Sequence, residues 1–304
     1  MNDATSIQTI GFIGVGRMGG PMALNLHRAG FAVRVHDVSR AALEAAAQAG
    51  LAIAGSPGEA AQASQAIILM LPSDEALRDL MDGEAGLLRQ LRPGQVVIDM
   101  ATSLLATSQR LASHAAERGA AMIDAPVSGG VDGAQAGALS IMVGGEPAVV
   151  QRCQPVLRAM GRTVTHIGAQ GMGLIAKYVN QIVMEAAFCA AAEAFTLAAK
   201  AGADPEAVYQ AVRHGLGGSR VLDLMLPQLL SGDLGSGREL TLHYKDGGYA
   251  LAVGEALGAW TPITALTHEI FAEAMQAGHG GHHASGVARV YEQRAGVRLV
   301  GGGG

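Results

Sequence analysis

At 304 residues the chain is long enough for one large or two ordinary domains, and 49% hydrophobic against 15% charged residues gives it a substantial core and excludes disorder. A formal net charge of -5 with no lysine or arginine cluster argues against nucleic acid and acidic membrane surfaces as partners. No uninterrupted apolar run is expected to reach membrane-spanning length and no basic-then-apolar leader precedes the first strand, so a cytoplasmic protein is expected.

The first predicted strand, 9–13, runs directly into Gly14, Gly16 and Gly19 in G-x-G-x-x-G spacing, and an amphipathic helix is predicted over 21–29. Each glycine has a separate reason. Gly14 permits the tight turn, Gly16 lets the backbone approach a pyrophosphate, and Gly19 lets helix and strand pack closely. The helix start then offers free N–H groups and a positive dipole end to phosphate. A second strand, 32–35, leads to Asp37, about twenty residues on, where a carboxylate accepts from a ribose diol. A glycine loop placed between strand and helix, with an acid at the next strand end, points to a bound dinucleotide. Asp37 repels a 2′-phosphate and favours NAD, while nearby Arg40 keeps NADP possible.

Further strands are predicted at 66–69, 96–99, 121–124 and 140–144, with a last one over 163–167; helices are predicted over 40–49, 74–81 and 103–118. This alternation predicts a parallel sheet with helices on both faces, a Rossmann-type α/β domain. After Gly171 the texture changes. Residues 172–201 read as one long helix, Asp204-Pro205-Glu206 carries the chemistry of a helix start, and helices follow over 240–257 and 262–275. The expected organisation is a dinucleotide-binding domain over 1–169, an all-α domain for substrate and oligomerisation over 170–300, and a flexible glycine tail at 301–304. The long helix joins the two domains. Cys153 and Cys189 are far apart and read as buried small residues rather than a disulfide.

Three further clusters stand out. Asp124-Ala-Pro-Val-Ser-Gly-Gly130 sets Ser128, Gly129 and Gly130 after a strand, a nest that offers N–H groups and a hydroxyl to a carboxylate, or simply a tight loop. At helical spacing Lys177, Asn180 and Gln181 share one face with Met184. A lysine among apolar neighbours is expected to be partly desolvated, which suits acid–base work; a snorkelling lysine on a solvated face is the alternative. His243-Tyr-Lys245-Asp246 opens a helix and by itself is ordinary surface chemistry.

Together these clusters resemble the β-hydroxyacid dehydrogenases, the family that includes 3-hydroxyisobutyrate dehydrogenases and tartronate semialdehyde reductases. The resemblance runs from about residue 9 to residue 291 and rests on GFIGVGRMGGPMALNL, MLPS, DAPVSGG with GALSIMVGG, GLIAKYVNQ and YKD. The second half is most similar to the tartronate semialdehyde reductase subgroup, which implies reduction of a small 3-oxo acid. A 3-hydroxyisobutyrate or threonate-type activity is the alternative within the family, and a non-catalytic nucleotide reader the alternative outside it. The resemblance implies a 6-phosphogluconate dehydrogenase-like fold, a small carboxylate substrate and a homodimer or homotetramer.

It also implies roles. Lys177 would exchange the proton with the substrate oxygen. Ser128, Gly129 and Gly130 would hold the carboxylate, and Asn180 would orient the substrate. Thr102, read in the family's serine position within DMATS, would sit near the nicotinamide and substrate. Arg17 and Met18 would lie by the pyrophosphate, with Leu71 and Pro72 under the adenosine half. Lys245 would help close the cofactor site, supported by Asp246. The chain departs from the family pattern at Arg220, read as surface or as an anion contact, and at Gly278–His283, where an aspartate is usual. That second departure puts the local closure in doubt. No metal is expected at its histidines, which lack acidic or cysteine partners.

Overall fold

The computed structural model describes residues 6–84, 86–235 and 239–299. It divides into two compact units, residues 1–177 and 178–304, and the division falls inside one long helix.

In the first unit the strands are β1 (Thr9–Ile13), β2 (Ala32–His36), β3 (Ala52–Ile53), β4 (Ala66–Leu69), β5 (Val96–Asp99), β6 (Ala121–Asp124), β7 (Val127–Ser128), β8 (Leu139–Gly144) and β9 (Gly161–Gly168). Its helices are α1 (Gly19–Arg28), α2 (Arg40–Gln48), α3 (Pro57–Gln62), α4 (Asp74–Asp82), α5 (Leu105–Ala116), α6 (Gly130–Gln135) and α7 (Pro147–Met160). The sheet runs β3-β2-β1-β4-β5-β6-β8-β7, with β9 against β8. Strands β1 to β6 pair in parallel. The order reverses between β1 and β4, so the loops after those two strands flank the crevice in which such sheets bind ligands.

The central strands are apolar on both faces because helices cover both. Ile10, Phe12, Ile68 and Ile98 face one core with Met22 and Leu26 of α1, and Ile13, Ile67, Leu69 and Val97 face the other with Leu77 and Met81 of α4. Side-chain caps fix several helix starts: the hydroxyls of Ser39, Ser56 and Ser73 accept from the N–H groups of Ala42, Glu59 and Ala76.

The expected all-parallel sheet is corrected at its far edge. Strand β8 is antiparallel to β6 and to β7. Pro126 interrupts the chain after β6, and a two-residue return through β7 pairs Ser128 with Ser140.

The long helix α8 (Met172–Lys200) crosses the division. The second unit continues with α9 (Pro205–Val212), α10 (Arg220–Ser231), α11 (Leu240–Leu257), α12 (Pro262–Gln276) and α13 (Ala288–Ala295), with no strand among the described residues. Asp204 caps α9 by accepting from Glu206 N–H. Phe188, Cys189, Phe195, Tyr209, Leu222, Met225 and Phe271 pack its core. Cys153 and Cys189 are free and buried, and burial pushes both thiols up to about 12. The glycine tail at 301–304 lies outside the described residues.

Helix α8 holds no uninterrupted apolar run of membrane-spanning length, since Lys177, Asn180, Gln181 and Glu185 break it. Helix α8 is 29 residues long with a mean hydropathy of 1.6 in its most apolar window, enough to cross a bilayer by length and composition. Its alanines and its core residues Phe188, Cys189, Ala192 and Phe195 account for that hydropathy without a bilayer.

Candidate active site

The glycine loop has the geometry its sequence requires. Gly14 sits at φ +92, and a Cβ there would lie 2.3 Å from the Met70 carbonyl oxygen. A Cβ on Gly19 would lie 1.9 Å from the Gly14 carbonyl oxygen, so α1 can start against β1 only as glycine. Gly16 differs: a Cβ there meets nothing within 4 Å. Its constraint comes from no neighbour in the chain, which is the signature expected where a bound pyrophosphate passes against the backbone. Arg17 is exposed and Met18 half-buried beside it, at the start of α1.

Asp37 follows β2 and is half-buried. Its Oδ2 accepts from Val15 N–H at 2.7 Å, inside the glycine loop, and its Oδ1 accepts from Ser39 N–H at 2.7 Å. Each oxygen keeps acceptor capacity for a ribose hydroxyl. Arg40 donates from Nε to Glu44 at 2.8 Å and its side chain is 93% exposed. A surface pair of that kind is worth little and parts easily. Leu71 and Pro72 follow β4 on the other side of the crevice, half-buried and exposed respectively. Loop, acid and crevice fit a dinucleotide.

The ends of β5 and β6 carry the rest of the first unit's site. Asp99 ends β5, fully buried, and accepts from Ala101 N–H at 3.1 Å and from the Ser103 hydroxyl at 3.3 Å. Half-buried Thr102 lies between those two donors. Burial above all, and then the charges of Asp124 and Asp74, push the Asp99 carboxyl up to about 7. Asp124 ends β6, also fully buried, and burial raises it too, against the N–H groups of Gly171 and Leu174 that hold its charged form. Ser128 follows, half-buried at the end of β7, with Gly129 at φ +131 and Gly130 at φ +66 opening α6. Both φ values are positive, a conformation that only glycine adopts readily, so the turn after β7 requires both glycines. Lys177 is 9% exposed, and its Nζ donates to the Val127 carbonyl at 3.1 Å. It is therefore not the solvated, snorkelling lysine of the alternative reading. Ser128 is the next residue after Val127.

In the second unit Asn180 donates from Nδ2 to Gln181 Oε1 at 3.0 Å, and Gln181 donates from Nε2 to Asp246 Oδ2 at 2.9 Å. Lys245 pairs with Asp246 at 3.2 Å and lies 5.4 Å from the Tyr249 ring centre. Asp246 thus pairs with the neighbouring lysine and also ties α11 to Gln181 of α8. Buried Glu185 and His243 lie one turn further along, 4.0 Å apart. Arg220 is exposed in the first turn of α10.

At the end of Gly278–His283, His283 Nδ1 accepts from Ser285 N–H at 3.1 Å and caps the short helical turn over Ala284–Val287. Two cavities of about 470 and 420 Å³ adjoin this loop, sharing His279, Arg289 and Arg298. No group of three metal-ligating side chains occurs among the described residues.

Sequence reasoning assigned no role to Asp99 or Asp124. Their signal was an aspartate closing each of two apolar strands at the end where ligands bind.

Two family models account for nearly the whole chain. Residues 9–168 match the NAD binding domain of 6-phosphogluconate dehydrogenase, and residues 171–291 match the NAD-binding of NADP-dependent 3-hydroxyisobutyrate dehydrogenase. The chain is 36% identical over 294 residues to 2-(hydroxymethyl)glutarate dehydrogenase from Eubacterium barkeri, covering 96% of this chain and 98% of that one. It is 36% identical over 262 residues to 2-hydroxy-3-oxopropionate reductase from Escherichia coli K12, covering 86% and 89%. Among solved structures, 3-hydroxyisobutyrate dehydrogenase from Mycobacterium tuberculosis with L-serine superposes with a TM-score of 0.85 at 33% identity, covering 93% and 98%.

Proposed function

The chain belongs to the β-hydroxyacid dehydrogenase family, and from that premise we propose that this NAD(P)-dependent oxidoreductase reduces tartronate semialdehyde (2-hydroxy-3-oxopropionate) to glycerate. The observation that carries the reading is Lys177, buried with its ammonium on the Val127 carbonyl, next to the Ser128 nest and in the same unit as the glycine loop.

When bound, a nicotinamide dinucleotide supplies the hydride chemistry. Gly14, Gly16, Arg17, Met18 and Gly19 hold its pyrophosphate, Asp37 its ribose, and Leu71 and Pro72 its adenosine half. Thr102 serves the nicotinamide end and Lys245 helps close the cofactor site. The Ser128 hydroxyl and the N–H groups of Gly129 and Gly130 bind the substrate carboxylate, which fixes the carbonyl's distance and angle. Lys177 Nζ hydrogen-bonds the carbonyl oxygen and gives it a proton as negative charge grows there; in oxidation the same nitrogen takes that proton back. Asn180 orients the substrate beside it. Asp37 makes NAD the preferred cofactor, with NADP tolerated through Arg40.

A second reading, 3-hydroxyisobutyrate dehydrogenase, is favoured by the second family model and by the Mycobacterium tuberculosis structure. The enzyme is read as a cytoplasmic homo-oligomer, a dimer or tetramer, since Val179, Val183 and Leu197 leave an exposed apolar row along α8.

Initial rates with NADH and with NADPH, measured against tartronate semialdehyde, methylmalonate semialdehyde, succinic semialdehyde and glyoxylate, test the assignment. Fastest turnover of tartronate semialdehyde with NADH is expected. If methylmalonate semialdehyde is fastest, the second reading replaces the first. Turnover of none of them, despite NADH binding, would remove both.

A further inference from the structure

Asp124 has no part in the chemistry described above, yet it is fully buried and both of its carboxylate oxygens are held by main-chain donors. It ends β6 beside Asp99 of β5, its register partner, and both are fully buried. Burying a carboxylate is costly unless its oxygens find donors. Those of Asp124 find them at the start of α8: Oδ1 accepts from the N–H of Gly171, just before the helix, at 2.6 Å, and Oδ2 from the N–H of Leu174, in its first turn, at 2.8 Å. A helix start leaves such N–H groups without intrahelical partners, and the dipole favours a negative charge there. The acid precedes these donors by 47 and 50 residues, so the cap exists only in the folded chain.

Lys177 stands one turn beyond Leu174, and its Nζ donates to the carbonyl of Val127, three residues after Asp124. One short segment therefore grips both the backbone of the turn and the ammonium of the lysine. The carboxylate has little room to move. A Cβ on Gly173 would lie 2.8 Å from Oδ2, and one on Gly144 would lie 2.4 Å from Oδ1. Asp99 holds the neighbouring loop around Thr102 in the same manner.

We propose that Asp124 is a positioning residue for Lys177, its buried carboxylate fixing the first turn of α8 and so the place where the lysine ammonium meets the substrate oxygen. The proposal rests on the assignment of Lys177 as the proton donor.

Asp124→Asn keeps the shape, but its amide offers one acceptor oxygen where the carboxylate offers two. With NADH and the fastest substrate of the wild type, kcat is expected to fall about 10- to 100-fold while NADH affinity stays within about threefold. KM should change less than kcat, and the pH profile of kcat should shift. A purely structural role would lower the melting temperature and the NADH-binding fraction, leaving kcat per binding site and the pH profile at wild-type values. That outcome overturns the proposal. Lys177→Ala, run alongside, separates two failures. If it keeps turnover, the lysine assignment is wrong and the positioning role goes with it. If it is inactive while Asp124→Asn behaves as wild type, only the positioning role is wrong. Should Asp124→Asn not fold, hydrogen exchange on the wild type decides. Gly171 and Leu174 amides as slow as the core of α8 support the cap, and exchange at open-loop rates overturns it.

Discussion

Gly16 and Gly19 are both glycines of one motif, yet the physical demand on each is different. A Cβ at Gly19 runs into the Gly14 carbonyl at 1.9 Å, while one at Gly16 enters open space. Gly16→Ala is therefore expected to melt within a few degrees of wild type and to bind NADH at least about tenfold more weakly, a loss of roughly 1.4 kcal/mol. Gly19→Ala is expected to unfold at markedly lower temperature with or without ligand, because backbone meets side chain. Thermal melts and NADH titration of the two variants check this, and equal stability losses would contradict it. At Lys177 the expectation concerns turnover. Lys177→Ala should lose about 10²- to 10⁴-fold in kcat with NADH affinity nearly intact, as for loss of a general acid. Lys177→Arg should fail as well, since a guanidinium does not give up its proton near neutral pH. Steady-state rates and fluorescence titration decide both.

At the scale of elements, the strand ends matter most. Asp99 at the end of β5 rises from 3.8 in the unfolded chain to about 7 in the fold, chiefly because it is buried. The native state then holds a proton that the unfolded chain has released, so this group's contribution is full below pH 4 and is lost as pH rises through 7. The shift corresponds to on the order of 4 kcal/mol across that window. Asp99→Asn should flatten the fall, gaining on wild type between pH 4 and pH 8 in urea unfolding. A difference that stays constant with pH would refute the cause. Elements also show where sequence patterns mislead. Helices α7 and α10 carry internal prolines, Pro155 and Pro227, which read as breakers but are accommodated within packed helices. Helix α3 is only six residues long and hides behind Pro57-Gly58, although Ser56 and Glu59 spell a cap. Strands β3 and β7 are two residues each, too short for any periodicity to show.

For the whole molecule, the remaining expectation is assembly. Val179, Val183 and Leu197 on α8, with Ile263 and Leu266 on α12 and Trp260 just before it, are exposed apolar residues that a second copy could cover. Light scattering at micromolar protein should give a mass at least twice that of the 30.9 kDa chain. A monomer mass at that concentration counts against the oligomer.

The local requirements were written in the chain. The glycine spacing, the acid after β2, the apolar central strands and the uninterrupted length of α8 follow from sterics and periodicity, which act between residues near in sequence. They were enough to give the Rossmann-type sheet, the helical second half and the dinucleotide site. What only the tertiary structure decided are the contacts between distant segments. These are the antiparallel return of β7 and β8, the burial of Lys177 on the Val127 carbonyl, and the reach of Asp124 across 50 residues to Leu174. A buried carboxylate must find donors wherever the fold brings them, and no local pattern in the sequence records which N–H groups those will be.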